Sequence, residues 1–193
     1  MNYLAHSFLS FSEEQIVGNL IEDFLKNKEK LPYPPEIQKG IYLHKAIDEF
    51  TDAHPVFREA KKIFQPVARL YSGAFVDVVM DYFLANDPKI KSETEWKLHS
   101  EKVYSALENH WEWLPISLKN ILPKMKTDNW LYNYRHDWGM KYSLQHILNK
   151  AQYLDKETPV FQIFMDNKKS LQDYYNDFFP DLQQFANNFN LRN

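Results

Sequence analysis

The chain of 193 residues contains no cysteine. Disulfides, thiolate-bound zinc and a cysteine nucleophile are excluded, so any metal must be held by histidine, carboxylate or water. Glycine is nearly as scarce, with four residues. That leaves little material for the left-handed turns hairpins favour and none for a phosphate-cradling glycine loop, which disfavours a β-sandwich, a Rossmann domain and a P-loop enzyme. No stretch approaches the roughly 18 apolar residues of a membrane span. The opening Met1-Asn2-Tyr3-Leu4-Ala5-His6 lacks a charged leader region, and a soluble cytoplasmic protein is expected. A basic excess is missing too: 23 Lys and Arg against 26 Asp and Glu give a formal charge of −3. That argues against a generic nucleic-acid binder.

What is present is apolar and aromatic. Hydrophobic residues make up 44% of the chain and aromatic residues 16%, ample for a buried core and unlike a disordered chain. A single domain over residues 1–193 is expected at this length. Periodicity is helical nearly throughout. Ser12-Glu13-Glu14-Gln15 reads as a capping box, followed by Ile16, Leu20, Ile21, Phe24 and Leu25 at helical intervals. That helix is expected to fade over residues 26–30, before Leu31-Pro32-Tyr33-Pro34-Pro35. Pro35 opens a second helix running to about Ala53. A third follows His54-Pro55 and is expected to be interrupted or kinked near Pro66, and Gly73 to Ala85 forms a strongly apolar fourth. Ser92-Glu93-Thr94-Glu95 is a second capping box, opening a helix to about Trp113. Pro115 and Pro123 punctuate shorter pieces, one helix is expected around Asp128–Leu154, and Pro159 precedes the last one or two. The expected fold is an all-α single-domain helical bundle.

Four sets of polar groups interrupt this apolar pattern, where a charge is costly unless paired or metal-bound. Asp23 follows Gly18-Asn19 and sits among Leu20, Ile21, Phe24 and Leu25. His44, Asp48 and Asp52 fall at i, i+4 and i+8 and share one helix stripe. Asp77 and Asp81 form an i, i+4 carboxylate pair in the fourth helix, with no lysine at helical spacing to offset their repulsion. His6 ends the N-terminal apolar run. Carboxylates from several helices converging with one or two imidazoles suit Mn²⁺ or Mg²⁺. The plainer readings are a structural His6, an intrahelical His44–Asp48 pair and a helix-capping Asp52. Trp111, Trp113, Trp130, Tyr132, Tyr134 and Trp138 read as core and pocket lining. Ser7, Ser10 and Ser72 lack a nucleophile signature. Arg58 and Arg69 stand out among only four arginines, because a guanidinium binds phosphate bidentately.

The ordered motifs Asn2-Tyr3-Leu4-Ala5-His6, Gly18-Asn19-Leu20-Ile21-Glu22-Asp23-Phe24 and Gly40 to Pro55, continued by Arg58, Asp77 to Leu84, Trp130-Leu131 and Tyr134, resemble the acyl carrier protein phosphodiesterase family. The resemblance is dense over residues 1–86 and thin beyond about residue 140. It implies an HD-like, all-helical metal phosphohydrolase. The implied reaction removes 4′-phosphopantetheine from a serine of holo-acyl carrier protein with a divalent metal, typically Mn²⁺, with Mg²⁺ or Fe²⁺ as alternatives. Carried onto this chain, it implies Asp23, His44, Asp48 and Asp77 as catalytic residues, and Asp23, Asp77, Asp81 and one of His6 and His44 as metal ligands. Arg58, Arg69, Lys26 and Lys45 are the implied phosphate or substrate contacts. Tyr82 stands where the family often has histidine, Lys45 replaces a common arginine, and Arg69 stands alone where a pair is frequent.

The partner implied is strongly acidic, so a protein of charge −3 must meet it through a local basic face; Lys26, Lys28, Lys30, Lys39 and Lys45 are the first expectation, with Lys61 and Lys62 next. No membrane or nucleic-acid partner is expected. Two other readings are an HD-like phosphohydrolase acting on a nucleotide or other small phosphodiester, and a catalytically silent helical module that binds an acidic partner.

Overall fold

The computed structural model describes residues 1–25 and 33–192. Lys26, Lys28 and Lys30 lie outside the described residues. Eleven α-helices and no strand are found among the described residues, in agreement with the all-α expectation. They are α1 (Tyr3–Phe8), α2 (Glu13–Ile21), α3 (Pro35–Ala53), α4 (Pro55–Ala68), α5 (Ser72–Asn86), α6 (Glu93–Asn109), α7 (Ile116–Thr127), α8 (Trp130–Asn133), α9 (Asp137–Lys150), α10 (Val160–Asp166) and α11 (Lys168–Arg192). No described helix is long and apolar enough to cross a membrane.

The hub is α5. Phe75, Val76, Val78, Val79, Met80, Phe83 and Leu84 are all buried, so this helix is covered on nearly every side, as a helix apolar all round must be. It packs against α1, α4, α9 and α11. The tightest crossing lies between α2 and α3, and two of the four glycines make it. A Cβ on Gly18 would lie 2.0 Å from the Ile37 carbonyl oxygen, and one on Gly40 would lie 2.4 Å from that of Gln15. Only hydrogen fits at either position. The two backbones therefore approach closely enough for a side chain of α3 to reach the main chain of α2.

Several boundaries differ from the periodic pattern. Helix α2 ends at Ile21 and tightens into a 3₁₀ turn, Glu22–Phe24, ahead of the expected end. The Ser12 hydroxyl accepts from the Gln15 N–H (3.2 Å), but the Gln15 side chain accepts from Phe11 rather than closing the box on Ser12. The Ser92 box closes on both sides, and α6 ends at Asn109, with a 3₁₀ turn at Trp111–Trp113. Pro66 and Pro123 lie inside α4 and α7 without interrupting them, and both prolines are exposed. The single helix expected around Asp128–Leu154 is two, α8 and α9. They fold together at Gly139, where a Cβ would lie 2.1 Å from the Asn133 carbonyl oxygen.

Candidate metal centre

Asn19, fully buried on α2, organises the site. Its side-chain amide donates to the His6 carbonyl (2.9 Å) and to the Ser10 hydroxyl (3.0 Å). That leaves its Oδ1 to accept from His6 Nδ1 at 2.7 Å. Its backbone carbonyl accepts from His44 Nδ1, also at 2.7 Å, across the glycine crossing of α2 and α3. One residue thus fixes both rings in the same tautomer and orientation, with Nδ1 carrying the proton. The rings stack with centroids 4.0 Å apart and planes 11° off parallel.

Both Nε2 atoms consequently face one patch of carboxylates. Asp48 lies between them, its Oδ1 3.3 Å from His6 Nε2 and its Oδ2 3.2 Å from His44 Nε2. The 3₁₀ turn after α2 delivers Glu22 and Asp23, each with one oxygen 3.5 Å from His44 Nε2. Two sets of groups close enough to hold a metal ion result, His6–His44–Asp48 and Glu22–Asp23–His44, sharing His44.

Protonation differs sharply between the two rings. Burial outweighs the opposing pull of Asp48 and lowers the pKa of His6 to about 4, leaving it neutral. Burial also works against charge on His44, but Asp23 and Asp48 outweigh it and raise this pKa to about 10. His6 Nε2 is therefore a bare lone pair, buried without a hydrogen-bond partner and 3.3 Å from a carboxylate oxygen. Two acceptors held face to face are unfavourable unless a cation comes between them. In the metal-free protein the His44 proton supplies part of that missing positive charge.

Asp23 and Asp48 also line a cavity of about 280 Å³, together with Asp52, Asp77, Ala74, Val78 and Ile147. Four carboxylates share this small cavity with one cation, the Met1 ammonium, 2.8 Å from Asp77 and 3.9 Å from Asp48, so the acids outnumber the positive charge there. Asp77 reaches it from the α5 side. Its Oδ1 lies 2.8 Å from the Met1 amino group, and burial, opposed by that ammonium, raises its pKa. Asp81 is placed otherwise than expected. It is fully buried and accepts from the N–H groups of Leu4 (2.8 Å), Asn2 (3.3 Å) and Ala5 (3.3 Å). It thus anchors the first turn of α1, the helix that carries His6, and neither it nor Asp77 joins the two metal-capable groups. Their signal in the sequence was sound in one respect: both charges needed positive partners, which α1 and the Met1 amino group supply.

The remaining expected contacts separate. Arg58 donates from Nε to the Asp52 carbonyl (3.2 Å) at the cavity edge. Arg69 sits in the turn between α4 and α5. Lys45 lies 3.8 Å from Glu22 and Lys39 is paired with Glu36 at 2.8 Å. The Tyr82 hydroxyl donates to Asp137 (2.8 Å) and Lys168 lies 4.7 Å from its ring, so Tyr82 belongs to the packing of α5 against α9 and α11. Asn19 and Glu22 were missed as site residues. Asn19 was visible only as a buried amide inside an apolar helix, and Glu22 owes its position to the 3₁₀ turn.

The sequence model described as acyl carrier protein phosphodiesterase matches residues 1–182. The chain belongs to the acyl carrier protein phosphodiesterase family. The relative of that name from Yersinia pestis is 28% identical over 191 residues, covering 96% of this chain and 97% of its own. The one from Klebsiella pneumoniae (strain 342) is 25% identical over 197 residues, 99% of this chain and 100% of its own. No solved structure matches the chain. The Gly18-Asn19 and His44-x-x-x-Asp48 segments of this chain are thus the two sides of one imidazole–carboxylate cluster.

Proposed function

We propose that the protein hydrolyses the phosphodiester between 4′-phosphopantetheine and a serine of holo-acyl carrier protein, using a divalent cation held by His6, His44, Asp48 and Asp23, with Glu22 beside them. The observation that carries the metal assignment is the geometry: His6 Nε2, buried and 3.3 Å from Asp48 Oδ1, shares that carboxylate with His44 Nε2 at 3.2 Å. Family membership carries the substrate. Mixed imidazole and carboxylate donors favour Mn²⁺ or Fe²⁺ over Mg²⁺, and Mn²⁺ is the ion proposed. Such an ion, when bound, lowers the pKa of a bound water and polarises a phosphoryl oxygen.

The chain's own groups do the rest. Asn19 holds both imidazoles with Nε2 turned to Asp48, which bridges the two rings and itself lines the cavity. Arg58, tethered at the rim through Asp52, steadies the phosphate. Water adds to phosphorus and the bond to the serine oxygen breaks. The ion pair of Asp77 with the Met1 ammonium, on the same cavity wall, is placed to hand the departing serine oxygen its proton. The products are apo-carrier protein and 4′-phosphopantetheine.

The test is incubation with holo-acyl carrier protein and Mn²⁺, followed by intact mass of the carrier. Loss of one phosphopantetheinyl group, abolished by Asp48→Asn and by chelator, is expected. An uncut carrier beside rapid cleavage of a small phosphodiester would refute the substrate and leave the metal site standing.

A further inference from the structure

Although the chain is acidic overall, residues 53–76 carry four cations, Arg58, Lys61, Lys62 and Arg69, against one acid, Glu59. Glu59 is taken by Lys62 at 2.7 Å. This stretch forms α4, the turn after it and the start of α5, which together make one lip of the cavity. Asp52 in the cavity wall accepts Arg58 Nε at its carbonyl and Lys61 Nζ at its carboxylate (3.3 Å). Ala74, in the first turn of α5, lines the cavity from the same side. The turn between them is strained: Arg69 has φ 48° and ψ −119°, a region that L-residues rarely adopt. Its effect is to hold Leu70 in solvent at 99% exposure, the highest of any large hydrophobic side chain among the described residues. A lone exposed leucine is ordinary. A strained turn that presents one, a helical turn ahead of a cavity-lining residue and beside Arg58 and Arg69, which pair with no carboxylate among the described residues, is not accounted for by packing within the chain.

We infer that the α4–α5 turn is the docking surface for an acidic carrier protein, with Leu70 as its apolar anchor and Arg69 and Arg58 as its charged rim. The inference rests on the carrier protein being the substrate. An apolar side chain ringed by charge is the anatomy of a protein contact, whereas a small phosphodiester would use the cations and leave Leu70 idle. The lysines expected from the sequence to meet the partner are less suited where they are described, since Lys39 and Lys45 already face Glu36 and Glu22.

Full-length protein and Leu70→Asp, both loaded with Mn²⁺, are assayed on holo-acyl carrier protein and on bis(p-nitrophenyl) phosphate. The expected result is a carrier KM raised about tenfold or more, with hydrolysis of the small ester unchanged. An unchanged carrier KM overturns the inference, as does an equal loss on both substrates, which would place Leu70 in the site itself. If the wild-type protein leaves the carrier uncut, the proposed reaction fails, and calorimetric binding of apo-carrier decides the surface separately. Binding weakened about tenfold by Leu70→Asp upholds the surface; equal binding by both proteins, or none by either, overturns it.

Discussion

Replacing Asn19 by alanine tests the organisation of the metal centre without touching a ligand. The substitution removes the acceptor for His6 Nδ1 and the donors to the His6 carbonyl and the Ser10 hydroxyl. It leaves the backbone carbonyl that holds His44, so one imidazole is released while the other stays fixed. Supporting groups of this kind alter metal affinity about 10–100-fold, or roughly 1.4–2.7 kcal/mol. The fold pays separately, because buried His6 Nδ1 loses its partner at about 1–3 kcal/mol, whereas the His6 carbonyl still accepts from the Ser10 hydroxyl at 2.9 Å. For a chain of this size that is a fall in melting temperature of about 2–12 °C.

The two effects are read apart by Mn²⁺ titration and by thermal melting of the metal-free protein. Asn19→Asp is the control, since it keeps an acceptor for His6 Nδ1 but loses the amide donor, and it is expected to bind Mn²⁺ more tightly than Asn19→Ala. In a His6→Gln background the effect of Asn19→Ala on affinity should largely vanish, because the two residues act as one unit. A fall in melting temperature with Mn²⁺ affinity within about threefold of wild type would make Asn19 purely structural and remove His6 from the ligand set.

The close approach of α2 and α3 is tested by Gly40→Ala. The new Cβ would meet the Gln15 carbonyl oxygen and the Asn19 backbone nitrogen, neither of which can move aside alone, so a loss of about 3 kcal/mol and a melting temperature lower by about 6–12 °C are expected; an unchanged melt would show that the helices part freely. The elevated pKa of His44 sets a pH dependence. Its folded pKa, about 10, lies above the ordinary 6.5, so the stability it contributes is complete below about pH 6.5 and is lost as pH rises through about 10. The metal-free protein should therefore melt progressively lower over that range, and His44→Gln should flatten the trend; parallel profiles would refute the assignment. Because a bound cation must displace that proton, Mn²⁺ binding near pH 7 should release about one proton, measurable by calorimetry in buffers of different ionisation heat, and zero release would remove His44 from the ligands.

Features governed by one helix were legible in the sequence. Pro35 opens α3 where expected, the Ser92–Glu95 box closes, and His44 and Asp48 share a stripe because 3.6-residue periodicity puts them there. What periodicity does not carry is the identity of the group that approaches from another element. Asp77 and Asp81 were recognisable as charges that needed positive partners in an apolar helix. Whether a cation, an ammonium or a row of backbone N–H groups met them depended on where α1 came to lie. The scarcity of glycine held more information than it first yielded. With four in the chain, finding two of them, Gly18 and Gly40, at a single crossing ties the Gly-Asn motif to the His-x-x-x-Asp motif in space. Asn19 follows one of these glycines and His44 lies one turn beyond the other, so the contact that sets the imidazole tautomer is made by the closest point of the helix pair. Asp81 acts on the same centre at one remove. By holding the first turn of α1 it fixes where His6 begins, so a charge read in the sequence as a ligand instead positions a member of the imidazole–carboxylate cluster.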